Sequence, residues 1–376
     1  MSSFVFPNIL QYLDMLSVIP ILSGFGLTFI ATWLLLKLSK VLSVGHDSDH
    51  GVQKFHTYPT SRLGGVSIFF GLAVSGLAVC RNTEPHNYSY WFLLAATPVW
   101  LAGLAEDLTR KVGPTFRLVM ATLSAAWLFS TLGVSVNRTD VWPIDLLLSI
   151  PGVPFCVTLL VVAGFTHSVN IVDGFHGLAC GLVIITLCGL AFMASRVGDN
   201  LLLHMSLTSL AVLLGFFVIN WPRGGIFLGD AGAYLIGFWV VELGILLTMR
   251  NPQISPMAAV VAGLLPLIET LFSMYRRNVI RSHPVNQPDA IHLHTLIYRR
   301  VLFNPALKYT ASQMNAVNAK VAWFFWLPAF IFTTLSCIFA ESTEVQLSLM
   351  LIYLGMYNWL YSRLVRFKTP DFIRFR

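Results

Sequence analysis

Charge is what this chain lacks. Only 11% of its 376 residues are Asp, Glu, Lys or Arg, against about 25% in soluble globular domains. With 56% hydrophobic residues and a mean hydropathy of +0.72, that scarcity excludes a soluble domain and indicates a polytopic membrane protein. Metal-binding cysteine pairs are also missing. Cys80, Cys156, Cys180, Cys188 and Cys337 are scattered, mostly within apolar runs, and none has CxxC spacing, so they read as small core hydrophobes. No Lys or Arg precedes Lys37 and the first apolar run is too long for a leader core, so no cleaved signal peptide is expected. The net charge of +7 is not a nucleic-acid footprint, because the aromatic residues sit inside apolar runs rather than among basic ones.

What is present is apolar length. A span takes about 20 mostly apolar residues to cross a hydrocarbon core of about 30 Å. Eleven such stretches lie near 16–40, 64–80, 91–105, 117–135, 153–170, 176–195, 201–220, 232–249, 256–275, 320–340 and 344–363. The expected architecture is an all-α integral membrane protein of about 11 transmembrane helices, forming a single polytopic domain over 1–376. Segments following odd-numbered spans hold 20 of the 24 Lys and Arg; those following even-numbered spans hold Arg81, Arg138, Arg196 and Arg250. That asymmetry places the odd loops and the C-terminus in the cytoplasm and the N-terminus outside.

The polar motifs fall on the same side. They are KFHTYPTSRLGG (Lys54–Gly65), EDLTRKVGPTFR (Glu106–Arg117), NIVDGFHGLACG (Asn170–Gly181), WPRGGIFLGDAG (Trp221–Gly232) and RRNVIRSHPVNQPDAIHLH (Arg276–His294). Five loops converging on one membrane face predict a cytoplasmic active site. Glu106, Asp107, Asp173 and Asp230 each sit at a helix end; hard oxygen ligands supplied one or two at a time suit Mg²⁺, and helix capping is the alternative for any one of them. Asn170 and Asp173, three apart, share a face if the helix continues that far, with His176 on roughly the same side. The glycines around Asp230 suit a backbone that approaches an anion with its amides exposed. His292 and His294 share a face only if extended, lack a third zinc ligand, and with neighbouring arginines suit phosphate. Glu269 is placed to support that site. Glu242, within a span, has no identifiable partner; paired with Glu269 it keeps a secondary transporter as the rival class.

These motifs, together with PLIETLFSMYRR and HLHTLIYRR, run collinearly along a chain that resembles the polyprenyl-phosphate N-acetylhexosamine-1-phosphate transferases. That bacterial inner-membrane family includes phospho-MurNAc-pentapeptide transferase and the enzymes initiating O-antigen and teichoic-acid chains. The resemblance implies Mg²⁺-dependent transfer of a sugar 1-phosphate from a UDP-N-acetylhexosamine to undecaprenyl phosphate, releasing UMP, with Mn²⁺ as a substitute ion. It implies catalytic roles for Glu106, Asp107, Asp173, His292 and His294, and metal binding by Asp230 with Asp107. Substrate contacts are expected from Lys54, His56, Arg62, Arg110, Lys111, Asn170, His176 and Glu269. Two positions depart from the family pattern: Glu106 stands where many members have Asp, and His176 where NxxDGxDG has its second Asp. HLHTLIYRR lacks the extra His and acid of the peptidoglycan enzyme, so the O-antigen-initiating branch is expected, with UDP-GlcNAc or a 6-deoxy-HexNAc as donor. One-step transfer, a covalent aspartyl intermediate and a homodimer all stay open.

Overall fold

The computed structural model describes residues 15–42, 60–82, 87–281, 291–304, 306–370 and 373. Lys54 and His56 lie outside the described residues. Apolar runs interrupted by proline and glycine fold into helices that these same residues start and stop. α1 (Met15–Leu42), α2 (Gly64–Asn82), α3 (Tyr88–Thr109) and α4 (Pro114–Leu132) pack each against the next, and a short surface helix, α5 (Trp142–Leu148), precedes α6 (Val153–Val172). α7 (Leu178–Val197), α8 (Asn200–Asn220) and α9 (Gly229–Arg250) follow. α10 (Pro256–Ala262) and α11 (Leu264–Tyr275) form a bent pair; α12 (Leu293–Ile297), α13 (Ala311–Lys320), α14 (Trp323–Ile338) and α15 (Thr343–Val365) complete the chain. Pro114 opens α4 at a position needing no N–H, and Gly133, at φ 67°, ends it.

Among the described residues, eight helices are long and apolar enough to span a bilayer, or nine if the bent pair is one span. Ten of the eleven expected spans each coincide with one helix and the other with the bent pair; α2 is too short in its apolar part, and α15 is not among the eight. The fold class is therefore an all-helical membrane protein. The stretch 256–275, read as one straight span, is bent by 77° at Gly263. Pro266 explains the break: it has no N–H for the carbonyl of Ala262. That carbonyl instead accepts from Thr186 Oγ1 at 2.9 Å and Thr333 Oγ1 at 3.3 Å, so no backbone group is orphaned at membrane depth.

α9 is the central helix, buried from Gly229 to Thr248 except at Val241 and packed on α2, α3, α6 and α7. Its first turn touches two neighbours backbone to backbone. A Cβ on Gly65 would lie 2.2 Å from Gly232 N, and one on Gly103 2.6 Å from Ala231. Closeness on this scale needs glycine, and it sets three helix ends at one point.

Candidate active site

The N-terminus of α9 has no cap of its own: Leu228 occupies the N-cap position. The cap comes from another helix. Asp107, near the end of α3, accepts from Asp230 N at 2.9 Å and from Ala231 N at 2.8 Å, one oxygen each. A carboxylate against exposed helix amides is a favourable pairing. The glycine-flanked amides do meet an anion, but it is the protein's own, and Asp107 is thereby occupied in holding α9. Arg62 Nε lies 3.3 Å from its Oδ1.

Asp230, in the first turn of α9, points away from the backbone and meets positive charge at both oxygens. Oδ1 accepts from Arg62 Nη2 at 2.8 Å and Asn170 Nδ2 at 3.2 Å, and Oδ2 pairs with Arg117. The Arg117 guanidinium lies 5.5 Å from the Tyr234 ring, one turn along α9, and Tyr234 OH is 3.1 Å from His167 Nδ1. Sequence reading assigned Arg117 only to topology and missed Tyr234 and His167. Arg117 does lie within the quoted motif ending GPTFR; nothing in the sequence marks the other two.

Around this centre, Asp173 caps α6 with its N–H on Asn170 O and is half-buried. Burial pushes its carboxyl up to about 7, while Arg62 pulls it back. Glu106 Oε2 accepts from Val112 N at 2.8 Å, closing the turn that leaves Arg110 and Lys111 exposed at the rim. His176 does not join the Asn170–Asp173 stripe. α6 ends before it, its ring packs 5.5 Å from Phe227, and its N–H donates to Asn318 Oδ1 at 2.8 Å.

The paired histidines form a second wall. His292 is extended at the N-cap of α12, and His294 sits in its first turn. Their rings nevertheless lie parallel within 5° at 5.1 Å. Glu269, buried on α11, is 3.1 Å from His292 Nδ1 and 3.5 Å from His294 Nδ1, and accepts from Leu293 N at 2.7 Å and Tyr357 OH at 2.9 Å. Burial, with His292 adding to it against the pull of Glu269, lowers His294 to about 4, so it is neutral at pH 7. His294 Nε2 is 3.4 Å from where a Cβ on Gly174 would be, which joins this wall to NIVDG. Glu269, the transporter reading's second acid, is thus committed here. Glu242 is fully buried with neither oxygen hydrogen-bonded.

The donor chemistry fits a hard divalent cation. Carboxylates 106, 173 and 230 and the Asn170 amide offer oxygen without thiolate. Asp230, whose two oxygens face guanidiniums rather than backbone, is where a metal cation could replace those charges.

The chain is similar to known sugar-phosphate transferases. The glycosyl transferase family 4 model matches residues 89–248, from α3 to α9. A probable undecaprenyl-phosphate N-acetylglucosaminyl 1-phosphate transferase of Bacillus subtilis (strain 168) is 26% identical, over 83% of this chain and 82% of its own. An undecaprenyl-phosphate alpha-N-acetylglucosaminyl 1-phosphate transferase of Yersinia pestis is 25% identical over 72% and 74%. A phospho-N-acetylmuramoyl-pentapeptide-transferase of Lactobacillus johnsonii is 27% identical over 68% and 82%.

Proposed function

We propose that this chain, whose residues 89–248 match the glycosyl transferase family 4 model, transfers N-acetylhexosamine 1-phosphate from a UDP-N-acetylhexosamine to undecaprenyl phosphate, releasing UMP. The observation that carries this is the Asp230 carboxylate at the start of α9, shared by Arg62, Arg117 and Asn170. The reaction must bring an anionic lipid phosphate to an anionic diphosphate. The acceptor's second phosphate pKa is about 6, so it is largely a ready nucleophile at pH 7 and no strong base is required. Charge neutralisation is then the main task.

Asp230 would hold Mg²⁺, with Mn²⁺ as a substitute, and Asp173 and Glu106 lie within the same acidic group. The ion supplies a positive charge for the phosphate oxygens. Arg62 and Arg117 present planar guanidinium forks that suit phosphate as well as carboxylate. Asp107 keeps α9, and hence Asp230, in place. Asp173 and Asn170 face the uridine, and His292 and His294 the diphosphate; Arg110 and Lys111 at the rim meet the lipid phosphate. Because UDP-sugars are cytosolic, this face is the cytoplasmic one, and the basic loops agree with that orientation in a bacterial inner membrane. The short HLH motif favours UDP-GlcNAc or a 6-deoxy relative as donor and initiation of a surface polysaccharide such as O-antigen. Peptidoglycan synthesis is the alternative, to which the Lactobacillus relative is pertinent.

The test is UMP release by purified protein from a panel of UDP-sugars with undecaprenyl phosphate, with and without Mg²⁺. Metal-dependent release with UDP-GlcNAc is expected. Faster turnover of UDP-MurNAc-pentapeptide would move the chain to the peptidoglycan branch. Substrate uptake into proteoliposomes without UMP release would establish the transporter reading.

A further inference from the structure

The last helix of the chain lies outside the segment matched by the family model, yet it touches the histidine wall. α15 presents Tyr357 and Tyr361 one turn apart. Tyr357 OH donates to Glu269 Oε2 at 2.9 Å, and Tyr361 OH donates to Ile291 O at 3.2 Å, immediately before His292. Phe272 of α11 packs edge-on between them, 5.3 Å from the Tyr357 ring and 4.6 Å from the Tyr361 ring. Arg276 Nη1, at the end of α11, donates to Ile291 O at 2.6 Å and also pairs with Tyr361 OH. The backbone leading into the histidines is therefore held from α11 and α15 together.

We propose that Tyr357 and Glu269 are positioning residues that hold His292 and His294 for the donor diphosphate, making the C-terminal helix part of the nucleotide-sugar site; this rests on the transferase reading above. Glu269 is the hinge of the relay. Its Oε2 is fixed by Tyr357, while its Oε1 receives Leu293 N–H and faces both Nδ1 atoms. A carboxylate only accepts, so the contact with Glu269 holds the His292 proton at Nδ1 and fixes the orientation of the ring. A diphosphate oxygen then meets a ring whose orientation is already set by Glu269. The same Glu269 oxygen places His294, whose Nδ1 is buried with no hydrogen bond at 3.5 Å from it, so the second ring is located by stacking on the first. Removal of the tyrosine hydroxyl frees the carboxylate to rotate and releases both rings at once. The aromatic packing of α15 stays in place.

The three ligand-type atoms of Glu269, His292 and His294 lie within 4.8 Å of one another, so a soft metal ion is the competing occupant. Steady-state kinetics of Tyr357→Phe and Glu269→Gln, with metal analysis of the purified protein, separate the two. The relay predicts that Tyr357→Phe raises the KM for the UDP-sugar by roughly tenfold, the scale of one hydrogen bond to a charged group. Glu269→Gln should raise it further. In Tyr357→Phe, kcat should stay within about twofold and the KM for undecaprenyl phosphate should not change. Folded variants with wild-type donor KM would overturn the proposal, as would an equal loss in both KM values, which marks general loosening. Stoichiometric zinc that is lost in His294→Ala would also overturn it. Should wild-type protein release no UMP from any donor, the transferase reading fails by itself. Calorimetry with UDP then decides the relay: weaker UDP binding in Tyr357→Phe sustains it, and unchanged binding refutes it.

Discussion

The two ends of the helix bundle use arginine differently. On the face away from the site, Arg138, Arg196 and Arg250 each have a carboxylate partner of their own, and Arg138 and Arg196 also donate to backbone carbonyls. Arg138 pairs with Asp140 at 2.7 Å and donates to the carbonyls of Thr248, Asn251 and Ile254, which closes the end of α9. Arg250 pairs with Asp199 at 2.7 Å, and Arg196 with Glu341 at 3.1 Å while donating to Cys337 O and Ile338 O. On the site face the matching fails. Arg62 and Arg117 share Asp230, and Arg62 also lies against Asp107. Two further acids, Glu106 and Asp173, stand close by. Matched pairs at helix ends are structural. A cluster in which acids outnumber the guanidiniums paired with them is one whose charges are completed by something else, and a divalent ion with phosphates supplies both signs. Arg138, Arg196 and Arg250, three of the four basic residues that run against the positive-inside asymmetry, are thus local partners of helix ends.

The comparison breaks most sharply at Asp230. Asp230→Asn keeps the shape and the Asn170 contact but removes the charge shared by two arginines. UMP release should fall by about 10²–10³-fold, equivalent to roughly 3–4 kcal/mol in the transition state, in protein that still elutes as a folded species. Full Mg²⁺-dependent release would remove Asp230 from the metal.

Asp199→Ala is the matching lesion on the other face. Asp199 caps α8 through Leu202 N at 3.2 Å and holds both Arg250 and Asn251. Its loss should cost about 2 kcal/mol, the sum of a cap and a partly buried ion pair, read as a lower thermal midpoint in detergent. The KM values should stay at wild type. A large activity loss at unchanged stability would mean that this face takes part in the reaction.

Arg117→Lys sharpens the site side. Lysine keeps the charge but not the planar fork or the contact with the Tyr234 ring. About a tenfold drop in kcat/KM, near 1.4 kcal/mol, is expected without loss of fold. An undiminished rate would reduce Arg117 to a counter-ion.

How much of this was legible depends on whether the signal is local. Apolar length located the helices, though eight or nine rather than eleven of those described are long and apolar enough to span, and helix-end acids located Glu106, Asp107, Asp173 and Asp230, because both are read within one segment. The bend at Gly263 was legible in principle from Pro266, but the carbonyl it frees is satisfied from α7 and α14, which sequence spacing cannot show. Asp107 was read as a metal ligand because its role as the cap of a helix 123 residues away depends on Gly65 and Gly103 allowing backbone contact. Tyr357 carries no local signal: a tyrosine in an apolar helix looks like core until Glu269 is found against it. His176 was placed on the site stripe by helical spacing, and the end of α6 at Val172 turned it toward Phe227.

The smallest effect tests the comparison where it is weakest. Glu341 is two-thirds exposed, with a side-chain relative accessibility of 66%, and it pairs with Arg196 at 3.1 Å. Exposed pairs of this kind contribute about 0–1 kcal/mol, because solvent screens the attraction and two long side chains must be held. Arg196 has other partners in Cys337 O and Ile338 O, at 2.9 and 3.3 Å, which remain when the carboxylate goes. Glu341→Gln should therefore change stability by no more than about 0.5 kcal/mol, and the change should vanish at high salt. Arg196→Ala should cost more, since it uncaps α14 as well. The reverse order would show that the carboxylate, not the helix end, is what the arginine serves, and the two faces would then differ in degree only.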